Sequence, residues 1–532
     1  DRTWLWCQMR VSSPISAPAS TIALSCAVQL IAAHRGLGRH HVPPASGQPI
    51  EAVPCGASRN GDGPYAGGVS GGTSSHISTT PEAQRWGVVG AGVLGMSLAL
   101  RLAREGHRVT LFEAGDVLGG LAGPWQVGDV TWDRHYHVTL LSDQRTRAMY
   151  EAVGITDAEL RWVETKTGYY GPDRVMRSVS NAVEFLKLPG LSPLDKVRLG
   201  GTIVVGSKIR NGRKMERITV ERWLRRWSGN KAFDTFWKPL LRAKLGDSYP
   251  QASAAFIWAT IQRLYAARRS GLKKEMFGYV AGGYARVSER FGSSLAAAGV
   301  DVRLSTRVQR IAREGDALQI REGDGTHTEF DRVVVTTAAP LSAALCPDLM
   351  AGERDRLQRV EYLGIVCVSL VLDRPLAPYY LTYITDPATP FTAVVEMTSF
   401  IDPAEVGGKA LVYLPKYTSA SDPLFAASDD DVVAAFLPYL QQMYPDLTSD
   451  EIAAARVSKV PHVFAVPSLR YSDDAPSIST SVPGLYVAGS ANLPFSTLNV
   501  NDTLSLVDDV LVAAGQQPAA TLAAASTGQE QV

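Results

Sequence analysis

The stretch from Arg85 to Ala114, RWGVVGAGVLGMSLALRLAREGHRVTLFEA, restricts the fold of this chain more than any other. Its hydrophobic spacing predicts a strand over Trp86–Val89, a glycine turn through Gly90, Gly92 and Gly95, a helix over Val93–Glu105, and a second strand over Arg108–Phe112 that ends on Glu113. Gly90 allows a tight turn out of the strand. Gly92 lets the backbone approach a pyrophosphate with no Cβ in the way, and Gly95 lets the helix lie close on the sheet. A phosphate held there meets free N–H groups and the positive end of the helix dipole. Gly90, Ala91, Gly92, Val93, Leu94 and Gly95 are therefore expected to hold a dinucleotide, with Glu113 accepting hydrogen bonds from its ribose and Ala114 alongside.

A chain of 532 residues has room for two or three domains. Its 53 basic and 52 acidic residues balance, which gives no global attraction to nucleic acid, and no nucleic-acid partner is expected. Of the cysteines, Cys7, Cys26 and Cys55 precede the glycine turn, while Cys346 and Cys367 stand far apart in apolar surroundings. No CxxC pair or metal-like Cys/His spacing occurs, so neither a disulfide framework nor a metal site is expected and a reducing, cytoplasmic setting is the default. Residues 1–83 are rich in Ser, Gly, Pro and Ala without periodicity and read as a disordered or non-native extension; residues 517–532 read as a disordered tail. The apolar run Ile22–Ala33 is shorter than the roughly 20 residues a spanning helix needs, and no transmembrane segment is expected.

Just beyond Glu113, in AGDVLGGLAGPW, Gly119 and Gly120 offer a second close backbone approach. A nicotinamide-only fold has no use for it, whereas a cofactor with a bulkier second half does. Far along the chain, GLYVAG at Gly484–Gly489 is a strand running into a glycine. With these motifs in this order the sequence resembles the flavin-containing amine oxidase superfamily, which includes protoporphyrinogen oxidases, phytoene desaturases and, more distantly, UDP-galactopyranose mutases. The resemblance implies an α/β fold: a two-part Rossmann-like FAD-binding domain of the glutathione-reductase type with an inserted helical plus β-sheet substrate domain. The expected boundaries are 84–141, 276–345 and 476–516 for the FAD-binding parts, 142–275 for the helical part and 346–475 for the sheet.

The resemblance also implies the cofactor contacts. Gly119 and Gly120 approach the FAD, with Leu121 at a position where the family usually carries Arg. Val308 meets the adenine through its backbone, and the turn holding Thr337 nears the diphosphate. Gly489 lets the ribityl chain pass, Ser490 stands where Asp or Glu is common, and a final helix opening at Asn501 and Asp502 points at the flavin. No Cys or His lies between Gly484 and Asn501, so the FAD is expected to be non-covalent.

Between these motifs lies TWDRHYHVT, with Trp132, Asp133, Arg134, His135, Tyr136 and His137. Strand alternation predicts Asp133, His135 and His137 on one face and Trp132, Arg134 and Tyr136 on the other. In the resembled family this segment passes the flavin ring, which makes His135, His137 and Arg134 candidate catalytic residues beside the plainer reading of a strand end; Lys416 is a further candidate base. A metal reading lacks a third ligand. Ser142 is expected to cap a helix that stops at Gly154, and Thr219 to cap another. A later helix carries Phe256, Ile257, Thr260 and Leu264 on one stripe and ends in Arg268, Arg269, Lys273 and Lys274. With Lys208–Arg217, these cations offer peripheral contact to an acidic substrate or lipid headgroups, beside their plainer use as helix-dipole complements. Gly282 and Gly283 open a further helix, and the alternating strands VCVSLVLD and KALVYLPK are expected to floor a cavity.

The activity implied is an FAD-dependent oxidoreductase of the amine oxidase, protoporphyrinogen oxidase or desaturase type, moving a hydride from a substrate carbon to flavin N5. Two alternatives stand beside it. One is a mutase-like flavoenzyme acting on a nucleotide sugar without net redox change; the other is a flavin-bound protein without turnover. The substrate expected is a small molecule, apolar or a sugar nucleotide.

Overall fold

Strands from well-separated stretches of sequence meet in one parallel sheet. In this computed structural model, which describes residues 83–516 apart from 181–183, 185–186, 188, 270–275 and 496–498, and side chains 264–269 not at all, the sheet has five strands. Their order is Asp301–Arg303, Arg108–Phe112, Arg85–Val89, Arg332–Val335 and Leu485–Val487. All four pairings are parallel, with Val89 between Phe112 and Val335. Strand order reverses beside Arg85–Val89, and a doubly wound sheet opens a crevice at the carboxyl ends of such strands. The extension before residue 83, the tail after 516, Lys273 and Lys274, and the side chains of Leu264, Arg268 and Arg269 lie outside the described residues.

Both faces of this sheet are covered. Helices Val93–Arg104, Gly283–Ala297 and Ser505–Ala513 pack on one side through Leu98, Leu102, Val287, Phe291, Leu506 and Val510. A three-stranded antiparallel sheet, Val308–Glu314, Ala317–Glu322 and His327–Phe330, closes the other through Ile311, Leu318, Ile320 and Phe330. Gly95 is obligatory in this packing, because a Cβ there would stand 1.9 Å from the Gly90 carbonyl oxygen. Gly90 itself turns at φ +104°.

The intervening segments build a second body. Its seven-stranded mixed sheet runs in the order Ile452–Ala465, Tyr362–Leu372, Ala410–Ser419, Ala393–Glu396, Leu381–Ile384, Thr167–Tyr170 and Met176–Ser178. The sequence of Val366–Asp373 predicts alternation, yet the strand Tyr362–Leu372 is buried along its whole length. The reason is cover on both faces: Leu363, Ile365 and Cys367 face the helical layer, while Val366, Val368 and Leu370 face the helix Asp429–Met443. Such double burial erases alternation.

Helix ends follow the sequence with one exception. The Thr219 hydroxyl accepts the Arg222 N–H, and Gly154 ends its helix at φ +77°. Ser142, in contrast, is not the cap of helix Gln144–Ala152, and its buried hydroxyl has no partner among the described residues. The helix begins one residue later, and the side-chain oxygen of Asn501 accepts the Arg145 N–H at 2.9 Å and the Thr146 N–H at 3.4 Å. The cap thus arrives from the far end of the chain. Replacing Asn501→Ala should lower unfolding free energy by about 1–2 kcal/mol, with flavin content unchanged, whereas Ser142→Ala should alter it by less than about 0.5 kcal/mol. Urea unfolding of the two variants checks this.

Candidate functional site

The crevice beside the Arg85–Val89 strand continues as a cavity of about 470 Å³ that reaches into the second body. Its wall brings together Gly90, Gly92, Val93, Leu94, Glu113, Gly119, Gly120 and Leu121 with Thr337, Gly489 and Ser490. Segments nearly four hundred residues apart therefore share one space.

At the glycine turn, helix Val93–Arg104 starts at Gly92 without any side-chain cap. The first N–H groups of such a helix have no partner inside it. A Cβ built on Gly92 would meet nothing within 4 Å, so the direction a side chain would take is open space. An uncapped helix start behind an open glycine fits the pyrophosphate of FAD. Glu113 stands at the same rim, its two oxygens accepting the Ala91 and Gly115 N–H groups at 2.8 Å each. This fixes the carboxylate while leaving lone pairs for a ribose. The second glycine pair packs directly on the first: Gly119 donates its N–H to the Ala91 carbonyl at 2.9 Å.

Several residues expected to touch the cofactor lie outside the lining. Ala91 is fully buried beneath the turn and Gly95 is packed under the Gly90 carbonyl. Ala114 and Val308 do not reach the cavity. Asn501 is spent on its helix cap; Asp502 sits near Arg263 rather than at the wall, and Asn499, Val500 and Thr503 line the space instead.

The Trp132–His137 segment departs from its expected alternation, because the strand ends at Asp133 and the following residues turn. His135, Tyr136 and His137 all line the cavity. Arg134 does not; its guanidinium lies over the Trp125 ring at 5.8 Å. His135 Nδ1 bonds the Leu121 carbonyl at 3.1 Å and His137 Nδ1 the His135 carbonyl at 2.7 Å. A carbonyl only accepts, so both rings carry hydrogen on Nδ1 and a lone pair on Nε2. Burial lowers both rings to about 4, which keeps them neutral. Behind them Asp133 is buried and raised to about 7 by desolvation, with the Tyr284 N–H bond opposing the rise.

The inner part of the cavity was not readable from the sequence. Leu240, Phe277, Ile365, Leu381 and Val463 make it apolar, and Tyr380, Tyr383 and Tyr417 add aromatic area. Tyr417 shares a hydroxyl contact of 3.3 Å with Tyr136 and lies under Lys244 Nζ at 4.7 Å. Arg263 is also at the wall, but its Nη2 is bound to Asp143 at 2.9 and 3.1 Å, and burial lowers it to about 10. Lys416, the other candidate base, bonds Asp422 at 3.0 Å and lies outside the lining. No cluster of potential metal ligands occurs among the described residues.

The family model described as flavin containing amine oxidoreductase matches residues 95–494. The 15-cis-phytoene desaturase of Glycine max is 23% identical over 443 residues, which is 76% of this chain and 74% of that one. A putative protoporphyrinogen oxidase from Exiguobacterium superposes with a TM-score of 0.64 at 18% identity, covering 81% of this chain and 99% of that one. Reduced UDP-galactopyranose mutase superposes with a TM-score of 0.63 at 15% identity, covering 81% and 96%.

The open space at Gly92 generates a direct test. Gly92→Val should fold with the melting temperature of the flavin-stripped parent yet be purified colourless; full flavin retention in that variant would remove the pyrophosphate from this turn. A second test concerns Asp133. Its folded value is raised from 3.8 to about 7, so as pH rises through that window the unfolded chain ionises first and the folded state loses stability. His135 and His137, lowered from 6.5 to about 4, act oppositely and lose stability as pH falls through their own window. Asp133→Asn should therefore be no more stable than the parent near pH 3.8 and gain steadily up to about pH 7, as read by denaturant unfolding at each pH.

Proposed function

Because the chain belongs to the flavin containing amine oxidoreductase family, and is an FAD-dependent oxidoreductase, we propose that it desaturates an extended, apolar isoprenoid. The observation that carries this reading is the apolar and aromatic inner cavity, continuous with the glycine turn. When bound, FAD supplies a hydride acceptor at its N5. The glycine turn Gly90–Leu94 and the uncapped helix start hold its pyrophosphate, Glu113 its ribose, and Gly119, Gly120, Gly489 and Ser490 the stretch beyond.

The residues of the inner cavity then do the positioning. Phe277 and Tyr380 pack edge on at 5.7 Å, and Phe400 backs both, at 6.4 and 5.2 Å. Stiff aromatic walls of this kind fix a hydrocarbon chain and keep water from the reacting carbon. The relatives named as phytoene and zeta-carotene desaturases support the same substrate class.

A nucleotide sugar fits less well. Its diphosphate needs cations, and of the two at the inner wall among the described residues Arg263 is already committed to Asp143, which leaves Lys244. An isoprenoid also has to be taken from lipid. On helix Pro193–Lys208, Leu194 and Val197 are 60% and 71% exposed, with the exposed cations Arg198 and Lys208 on the same helix. That surface suits peripheral contact with an anionic bilayer; among the described residues no helix is long and apolar enough to cross one.

Anaerobic mixing of the FAD-loaded protein with 15-cis-phytoene in lipid vesicles should bleach the flavin in a single turnover. UDP-galactopyranose should leave it unbleached. Turnover of that nucleotide sugar by pre-reduced protein alone, with no bleaching by phytoene, would replace this reading by the mutase one.

A further inference from the structure

His137 and Val138 line both the main cavity and a second, much smaller one. The smaller space is about 10 Å³, the room of a single water molecule. Asp133, Tyr150 and Tyr284 form its polar wall. Asp133 is 2% exposed, and no arginine or lysine pairs with it among the described residues. One carboxyl oxygen accepts the Tyr284 N–H at 2.7 Å; the other lies 3.8 Å from His137 Nδ1.

The placement is built rather than incidental. The Tyr413 hydroxyl donates to the Asp133 carbonyl at 2.5 Å. Gly283 turns at φ +62°, and a Cβ there would stand 2.7 Å from Asp133 Oδ1. Tyr150 donates to the Tyr284 hydroxyl at 3.4 Å and contacts Thr139 Oγ1 at 3.1 Å, and the His137 ring packs on Tyr284 at 4.9 Å. Holding an uncompensated carboxyl in such a place costs stability, and nothing in cofactor binding uses it.

We propose that Asp133 is a positioning residue that acts through His137, making Nε2 of that ring the acceptor for the proton a substrate gives up in the main cavity. This rests on the desaturation reading above. In that reaction one hydrogen leaves carbon with its bonding pair, as a hydride to the oxidised flavin. The neighbouring C–H bond breaks the other way: its electron pair becomes the new C=C π bond and its proton bonds His137 Nε2. His137 suits this better than His135, since its side chain keeps 22% exposure while His135 Nε2 is sealed without a partner.

The electrostatics favour the transfer. The titratable groups facing Asp133 are His137, Tyr150, Tyr284, Tyr380 and Tyr413, all neutral at rest. With Asp133 ionised and His137 neutral, the pair carries one buried negative charge. A proton arriving on Nε2 converts it to a neutral ion pair, which burial prefers to a lone charge. With the Asp133 carboxyl protonated, the same arrival would create a lone buried cation. The pair therefore works above the carboxyl's value of about 7 and not below it.

The test uses the FAD-loaded full chain, the phytoene vesicles described above, and the variants Asp133→Asn and His137→Gln. The infrared spectrum of the parent should show a protonated carboxyl band that titrates away near pH 7 and is missing in Asp133→Asn. The rate of anaerobic flavin bleaching should rise through the same midpoint in the parent. Asp133→Asn should lose that rise and run about 10- to 100-fold slower at high pH, with His137→Gln slower by about 100-fold or more. An unchanged pH profile in Asp133→Asn would overturn the proposal. Should phytoene fail to bleach even the parent, the substrate reading falls by itself, and the infrared titration then decides the pair: a parent without the titrating band overturns it.

Discussion

The structure depends on one backbone contact, the bond from Gly119 N–H to the Ala91 carbonyl. It ties the second glycine turn to the first, with a Cβ on Gly120 falling only 3.1 Å from Gly92 Cα. The approach requires glycine at 120, which turns at φ +58° and where a side chain would crowd the first turn. The contact fixes where the chain leaves the parallel sheet, and through the Leu121 carbonyl it also fixes His135. The glycine-lined end and the histidine-lined part of the cavity are thereby set by a single junction.

A second junction lies at the start of helix Gln144–Ala152, where three distant segments meet. Asn501 caps the helix, Asp143 accepts its own loop's Leu140 N–H at 2.9 Å, and Arg263 reaches Asp143 from helix Ala254–Arg269. Both charges of that pair are almost fully enclosed, at 2% and 6% side-chain exposure. Such a pair gives little net stability, since desolvation offsets attraction, but breaking either half leaves a buried charge alone. Its effect is to fix the inserted helical layer relative to the terminal helix, and so the width of the cavity between them.

Local chemistry was legible in the sequence and long-range chemistry was not. The strand, glycine turn, helix and acid of residues 85–114 announce themselves because each role depends on residues a few positions apart. So do the Thr219 cap and the stop at Gly154. Ser142 looked like a cap because it has the right chemistry at the right spacing, yet Asn501 took the position from across the fold. Likewise the alternation read into Trp132–His137 assumed a strand that continues, whereas the chain bends after Asp133 and turns His135, Tyr136 and His137 to one wall. Tyr380, Tyr417 and Lys244 gave no signal, since what makes them part of a site is which strands and helices pair. The double burial of Tyr362–Leu372 gave no signal either: Val366–Asp373 reads as alternating, and the two covers come from elements far along the chain.

On the proposed reading the cavity serves a charged cofactor and an apolar substrate in one continuous space, and its lining separates these demands by position. On that reading negative charge would be met at the glycine turn, by backbone N–H groups and a helix dipole that need no counter-ion side chain. Toward the inner end the lining turns to aliphatic and aromatic groups; His135 and His137 are neutralised by burial, Arg263 is paired with Asp143, and the Lys244 ammonium lies over the Tyr417 ring. A neutral imidazole keeps the reacting end dry while retaining one lone pair, which is the least polar way to leave a proton acceptor in an apolar room.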